Sequence, residues 1–140
     1  MPLILMLQPE ALIAEITAFR LELLGYQVHT VESAAAAETF LNATVPDLIL
    51  LDMQLPGKSS LTFCERVGNN AAWNQIPLLG MLLDGDLENV QKAFQAGIQD
   101  LILIPFDPSV LEEKILHLIQ PKDSPATTLP TGGITRGISN

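Results

Sequence analysis

Among the 140 residues there is one cysteine, Cys64, so no internal disulfide can form. A lone thiol suits a reducing compartment, and a cytoplasmic location is the expectation. Positive charge is scarce as well: 7 Lys and Arg stand against 16 Asp and Glu, for a net charge of −9. A chain so poor in cations lacks the electrostatic footprint for phosphate backbones or anionic lipid. No nucleic acid or membrane partner is expected, and a partner with basic patches is the better electrostatic match. No apolar run approaches the roughly 20 residues of a membrane-spanning helix. No basic segment precedes the opening LILML, the first cation being Arg20, so a secretory signal is not expected either. Gly-rich phosphate loops, dinucleotide fingerprints and Ser-His-Asp arrangements do not occur. His29 and His117 have no Cys or carboxylate at metal-ligand spacing, and Cys64 has no neighbouring base in sequence. The expectation is a protein that is not an enzyme.

What the chain does have is apolar bulk. Hydrophobic residues make up 48% and charged residues 16%, enough for one domain with a real core. Short apolar runs alternate with segments of helical period. Leu3 to Leu7 reads as a strand, and Leu12, Ile16, Phe19 and Leu23 then recur at spacings that place them on one helix face. Pro9 is placed as a first helical residue and Gly25 as the stop. Gln27 to Val31 is a second strand, followed from an Ser33 N-cap by an Ala-rich helix to about Leu41. Leu48 to Leu51 is a third strand, and Ser59 or Ser60 could cap a helix with Leu61, Cys64 and Val67 on its apolar side. Pro77 to Leu83 is a fourth strand, after which Asp84 or Asp86 opens a helix carrying Val90, Ala93 and Phe94, closed by Gly97. Leu101 to Ile104 is a fifth strand, and Asp107-Pro108 opens a last helix with Leu111, Ile115, Leu118 and Ile119, which Pro121 ends.

Five β-α units with strands apolar nearly throughout imply a parallel sheet covered on both faces. The fold class is therefore α/β, a five-stranded doubly wound sheet whose functional crevice lies at the carboxyl ends of the strands. Residues 1–120 form this domain. The remaining 121–140, PKDSPATTLPTGGITRGISN in full from Pro121, is rich in Pro, Thr, Ser and Gly without periodicity and reads as a flexible tail. Trp73 is expected to pack over the loop that enters the fourth strand.

The segment PDLILLDMQLPG, together with QAGIQDLILIPFDP, resembles the receiver domain of two-component response regulators. The similarity runs from about Leu3 to Ile119 and implies strand order 2-1-3-4-5. By this resemblance Asp52 occupies the position of the aspartate that accepts a phosphoryl group from a histidine kinase. The rest of the family's site is degenerate here. Its two Mg²⁺-holding acidic residues fall on Gln8 and Pro9, with only the following Glu10 kept. Its hydroxyl residue falls on Leu82, its lysine on Ile104, and its aromatic switch residue on Leu101, while Pro105 is kept and a cis Ile104-Pro105 bond is implied.

Phosphoryl transfer is mostly positioning and charge neutralisation. Mg²⁺ demands near-octahedral oxygen ligands. Here those would be Asp52, Glu10 and the backbone carbonyl of Gln54. Gln8 offers only a neutral amide oxygen, Pro9 no side-chain donor, Ile104 no cation and Leu82 no hydroxyl. Asp52 then reads as a remnant, or as a carboxylate that bonds backbone N–H groups of the following loop. Asp84 and Asp86 could join Glu10 in a substitute cation site, though capping and turn roles are the simpler reading.

The resemblance thus implies an atypical, pseudo-receiver-type module that signals through protein-protein contact without conventional phosphorylation and without a cofactor. Its interaction face would draw on Val90, Gln91, Phe94, Leu101, Leu111 and Glu112, with Gln95, Ile102 and Lys114. The partner would be a histidine kinase, another receiver or an output protein, and a homodimer is open to it. The alternative is a phosphoacceptor in a phosphorelay that uses Asp52 with a degenerate Mg²⁺ site. A third reading is a small-molecule binder that uses a less charged crevice around Gln8, Asp52 and Leu82.

Overall fold

Strands that are apolar on both faces need two covering layers, and the chain alternates strand with helix to supply them. The structure is a computed structural model and describes residues 1–55, 59–83 and 85–119. In chain order the elements are β1 (Leu3–Leu7), α1 (Ala11–Leu23), β2 (Gln27–Val31), α2 (Ala34–Ala43), β3 (Leu48–Asp52), α3 (Ser59–Gly68), β4 (Leu78–Leu82), α4 (Leu87–Ala96), β5 (Asp100–Leu103) and α5 (Pro108–Ile119). The five strands are all parallel, in the order β2-β1-β3-β4-β5. This is the expected doubly wound α/β sheet. Residues from 120 onward, including Pro121 and the tail, lie outside the described residues, as do Pro56, Gly57, Lys58 and Asp84.

Side chains alternate across the sheet with the strand period of two. Leu5, Leu7, Ile49 and Leu51 point to one layer, where Leu41, Phe63 and Val67 complete a buried cluster. Ile4, Met6, Leu48 and Leu50 point to the other, against Ala14, Leu21, Leu111 and Ile115 of α1 and α5. Trp73 is buried in the first cluster, deeper than a residue packed over a loop.

The caps follow local chemistry. The Ser33 hydroxyl accepts from Ala36 N at 3.1 Å, and Asp107 Oδ1 accepts from Ser109 N at 2.9 Å at the start of α5. Gly25 and Gly97 take φ of +96° and +115° after α1 and α4, a conformation that costs residues with a Cβ. Pro9 differs from expectation: Glu10 is the N-cap of α1, so the proline precedes the helix rather than opening it. β5 also begins one residue early, at Asp100, and leaves Ile104 just beyond its end.

The larger correction concerns α1. Leu12, Ile16, Phe19 and Leu23 do share one helix face, but that face is exposed, each side chain at 60 to 67%. The helix buries Ala14, Thr17 and Leu21 instead. It is apolar on two opposite sides, and the buried side is the one with the smaller Ala14 and Thr17. Sequence period alone could not choose between the two faces. The proposed signalling face also needs revision. Leu111 and Ile102 are core residues with no surface to offer. Glu112 turns toward α1, where it takes the Arg20 guanidinium at 2.7 Å. Gln91, Phe94 and Gln95 are exposed, while Val90, Leu101 and Lys114 are partly buried.

Cys64 is fully buried in α3. Burial first, and the Glu65 charge second, push its thiol from 9.0 up to about 12. Its thiolate is therefore disfavoured in the native state, and a thiol reagent should react only at the rate of unfolding. A raised pKa adds stability below the unfolded value. We expect that stability to be complete below pH 9 and to fall as the pH rises toward 12. Replacing Cys64 with Ala should flatten alkaline denaturation curves over that window.

Candidate functional site

Parallel strands deliver their last residues to one edge, and here β1, β3, β4 and β5 bring Gln8, Asp52, Leu82 and Ile104 together. The register pairs Leu7 with Leu51, Asp52 with Met81, and Leu82 with Leu103. Asp52 is the final residue of β3 and is half-buried. Its Oδ1 accepts from Gln54 N at 2.8 Å, and its own carbonyl accepts from the Ser60 hydroxyl at 2.7 Å. The carboxylate thus closes an Asx-type turn that starts the β3–α3 connection. Ser60 Oγ also accepts from Leu55 N at 3.2 Å, so the same turn is tied from both sides. This is the backbone-bonding role open to Asp52 from its sequence.

Gln8 is almost wholly buried, which an acidic residue could not be without a partner. Its Oε1 accepts from Glu10 N at 3.0 Å, and its Nε2 reaches Met81 Sδ at 4.0 Å. β3 lies between β1 and β4, so this amide extends across the end of the strand that carries Asp52. Glu10 is exposed, and its backbone serves as the cap of α1. Leu82 is buried, Ile104 is half-buried, and the Ile104–Pro105 peptide is cis.

Gln54 does more than its sequence position suggested. Its side-chain Oε1 accepts from Leu83 N at 2.9 Å, joining the end of β3 to the end of β4. The side-chain bond spans 29 positions of sequence, and nothing local announces it.

These groups do not suit Mg²⁺. The one amide oxygen at the first acidic position, that of Gln8, is taken by Glu10 N. Pro9, Leu82 and Ile104 carry no side-chain oxygen or charge. Among the described residues, no three His, Cys, Asp or Glu side chains are grouped to hold a cation. Asp86 stands at the N-cap position of α4, and Asp84 lies outside the described residues. Among the described residues, no Lys or Arg is left without a carboxylate partner. Each of the four basic side chains among the described residues is matched with a carboxylate: Arg20 with Glu112, Arg66 with Glu38, Lys92 with Glu88 and Lys114 with Asp100. Among the described residues, Gln8 and Leu82 line separate clefts. Gln8 lines a cleft of about 310 Å³ with Pro9, Glu15 and Glu32, whereas Leu82 lines another of about 120 Å³ with Met53 and Gln54.

Leu101 packs inward over β4. A Cβ on Gly80, its register neighbour, would stand 2.8 Å from Leu101 Cδ2 and 2.9 Å from Met53 Cγ. The glycine therefore makes the slot that those two side chains fill. Asp100 at the start of β5 takes Lys114 of α5 at 3.0 Å. His29 stacks on Phe40, ring centroids 4.3 Å apart.

Residues 4–116 match the family profile of the response regulator receiver domain. The phosphate regulon transcriptional regulatory protein PhoB of Klebsiella pneumoniae is 37% identical over 112 residues, which are 80% of this chain and 49% of that protein. The DNA-binding dual master transcriptional regulator RpaA of Synechocystis is 27% identical over 123 residues, 88% of this chain and 51% of that one. The chain thus spans about half the length of such relatives. Among solved structures, a response regulator from Chloroflexus aurantiacus superposes with a TM-score of 0.81 at 26% identity, covering 84% of this chain and 97% of that one. The receiver domain of a histidine kinase from Syntrophus aciditrophicus gives 0.81 at 27% identity, covering 92% and 98%.

Proposed function

The chain belongs to the response regulator receiver domain family, and from that premise we propose that it is an atypical receiver. In this reading it acts by protein-protein contact, without conventional phosphorylation of Asp52. The observation that carries the proposal is the composition of the strand ends. Gln8, Pro9, Leu82 and Ile104 stand where metal ligands, a hydroxyl and a cation would be needed, and Asp52 Oδ1 is engaged by Gln54 N. Each missing donor to a developing charge is worth about 3 kcal/mol, or two to three decades in rate. Losses among groups that act as a unit do not simply add.

Two surfaces support a contact role. Exposed Phe94 and Leu87 on α4, with Leu103 on β5, give apolar area to the revised signalling face. The exposed stripe of α1 gives a second. Exposed apolar patches larger than a few hundred Å² mark interaction sites, whereas single exposed apolar side chains are ordinary. The partner in this proposal is a signalling protein: a histidine kinase, another receiver, an output protein or a second copy of the chain. The transcriptional roles named for PhoB and RpaA belong to proteins about twice as long. The test is exposure to acetyl phosphate and Mg²⁺, followed by intact mass. No phosphoryl adduct is expected, and an adduct lost in Asp52→Asn would return the chain to the phosphoacceptor reading.

A further inference from the structure

Leu12, Ile16, Phe19 and Leu23 stand exposed on α1, on the side opposite buried Ala14, Thr17 and Leu21. Their spacing is four, three, four. A helix that packs on a sheet shows a broader apolar face, whereas this narrow line matches the a/d seam of a coiled coil, which repeats about every 3.5 residues. We propose that α1 is a self-association surface, through which two copies of the chain pair their α1 helices in parallel about a two-fold axis. The inference rests on the contact role proposed above and deepens it by choosing the partner, a second copy, and the surface.

The charges beside the seam select the partner and its direction. With Leu12 and Phe19 at d and Ile16 and Leu23 at a, Glu15 and Glu22 fall at g and Arg20 at e. In a parallel pair, a g residue meets the e residue five positions on in the other helix. Glu15 then meets Arg20 of the second copy, and symmetry makes the pair twice. An antiparallel pair sets g beside g and brings Glu15 against Glu22, a like-charge contact. Arg20 has room for a second carboxylate: it holds Glu112 through Nε and Nη2, and its side chain is 46% exposed. The neighbouring helix extends the contact. Glu112 turns α5 toward α1, and Leu116, one turn further on the same flank, is exposed. The helix is already folded by its own domain, so pairing does not have to order it. Four seam residues per copy make a small interface, and the dimer is therefore weak and concentration-dependent.

Sedimentation equilibrium of the full chain over about a hundredfold range of concentration tests this. The mass is expected to rise from 15.2 kDa toward twice that value. Ile16→Gln with Phe19→Gln raises the dimer Kd at least about tenfold, since both anchors of the seam are lost. At dilution, where the chain is a monomer, that variant unfolds like the native one. Glu15→Arg weakens the dimer severalfold, and adding Arg20→Glu restores it by reversing the charge pair. The inference is overturned by a mass of 15.2 kDa at every concentration, by a dimer indifferent to the two glutamines, or by one that Glu15→Arg tightens, which would be antiparallel. Failure of the underlying reading looks different: Asp52 would then gain a phosphoryl adduct, whatever masses the seam variants give.

Discussion

A chain carrying Gln8→Asp, Pro9→Asp, Leu82→Thr and Ile104→Lys together acquires a phosphoryl group at Asp52 from acetyl phosphate and Mg²⁺, while the native chain does not. The four changes restore what phosphoryl transfer asks for: oxygen ligands for a small hard cation, an orienting hydroxyl, and a fixed positive charge. The positions already converge at the strand ends, so in the proposed reading only side-chain chemistry separates the two chains. The expected gain over the native chain is at least about three decades in rate, since one such donor alone is worth two to three. Single replacements should recover little, because a lone Asp at position 8 would be a buried charge without its cation. Time-resolved intact mass checks this, with Asp52→Asn in the same background as control. A native chain that is modified within tenfold of the rebuilt one would contradict the expectation.

On α1, Leu21→Ala should cost about 2–5 kcal/mol in denaturant unfolding, whereas Ile16→Gln with Phe19→Gln should change stability by less than about 0.5 kcal/mol. Leu21 is fully buried against β-strand side chains of the second core cluster. Ile16 and Phe19 lie on the opposite, exposed side of the same helix. Removing a buried side chain loses its transfer free energy and leaves a cavity, while removing an exposed one loses almost nothing within the monomer. The pair of glutamines should also weaken any complex that uses the stripe. A large stability loss from the glutamines would mean that Ile16 and Phe19 are packed in solution, by the chain itself or by a second copy.

That contrast shows where the sequence was legible. The strands were plain because LILML, LILL and LLGML are too apolar for anything but a sheet covered twice. Ser33, Gly25, Gly97 and Asp107 marked helix ends because each acts on its own neighbours within a few residues. The topology followed from five repeats of one unit. α1 resisted because it is apolar on both sides, so the period alone does not say which side faces the sheet. The buried face carries Ala14 and Thr17 beside Leu21, a weaker apolar signal than Leu12, Ile16, Phe19 and Leu23.

The candidate site divides in the same way. Asp52 could be found from a carboxylate ending an apolar strand, and the degenerate positions from the family resemblance. Their partners could not. The Gln54 bond to Leu83 and the slot over Gly80 join residues about twenty or more positions apart, and both depend on strand register rather than local pattern. Leu111 was misplaced for a related reason: one face of α5 serves the core, while Glu112 on its flank pairs with Arg20 of α1. Only the packed helix shows which is which.

The most direct test of whether Asp52 is a working acceptor is a set of amide spectra of the isotope-labelled chain, recorded with Mg²⁺ alone and then with beryllofluoride. An Asp52→Asn sample runs beside it. The expected result is no displacement of the Asp52, Glu10, Leu83 or β5 signals at millimolar Mg²⁺, with or without beryllofluoride. Shifts at those residues in the native chain that are absent from Asp52→Asn would contradict it and make the protein a functioning phosphoacceptor.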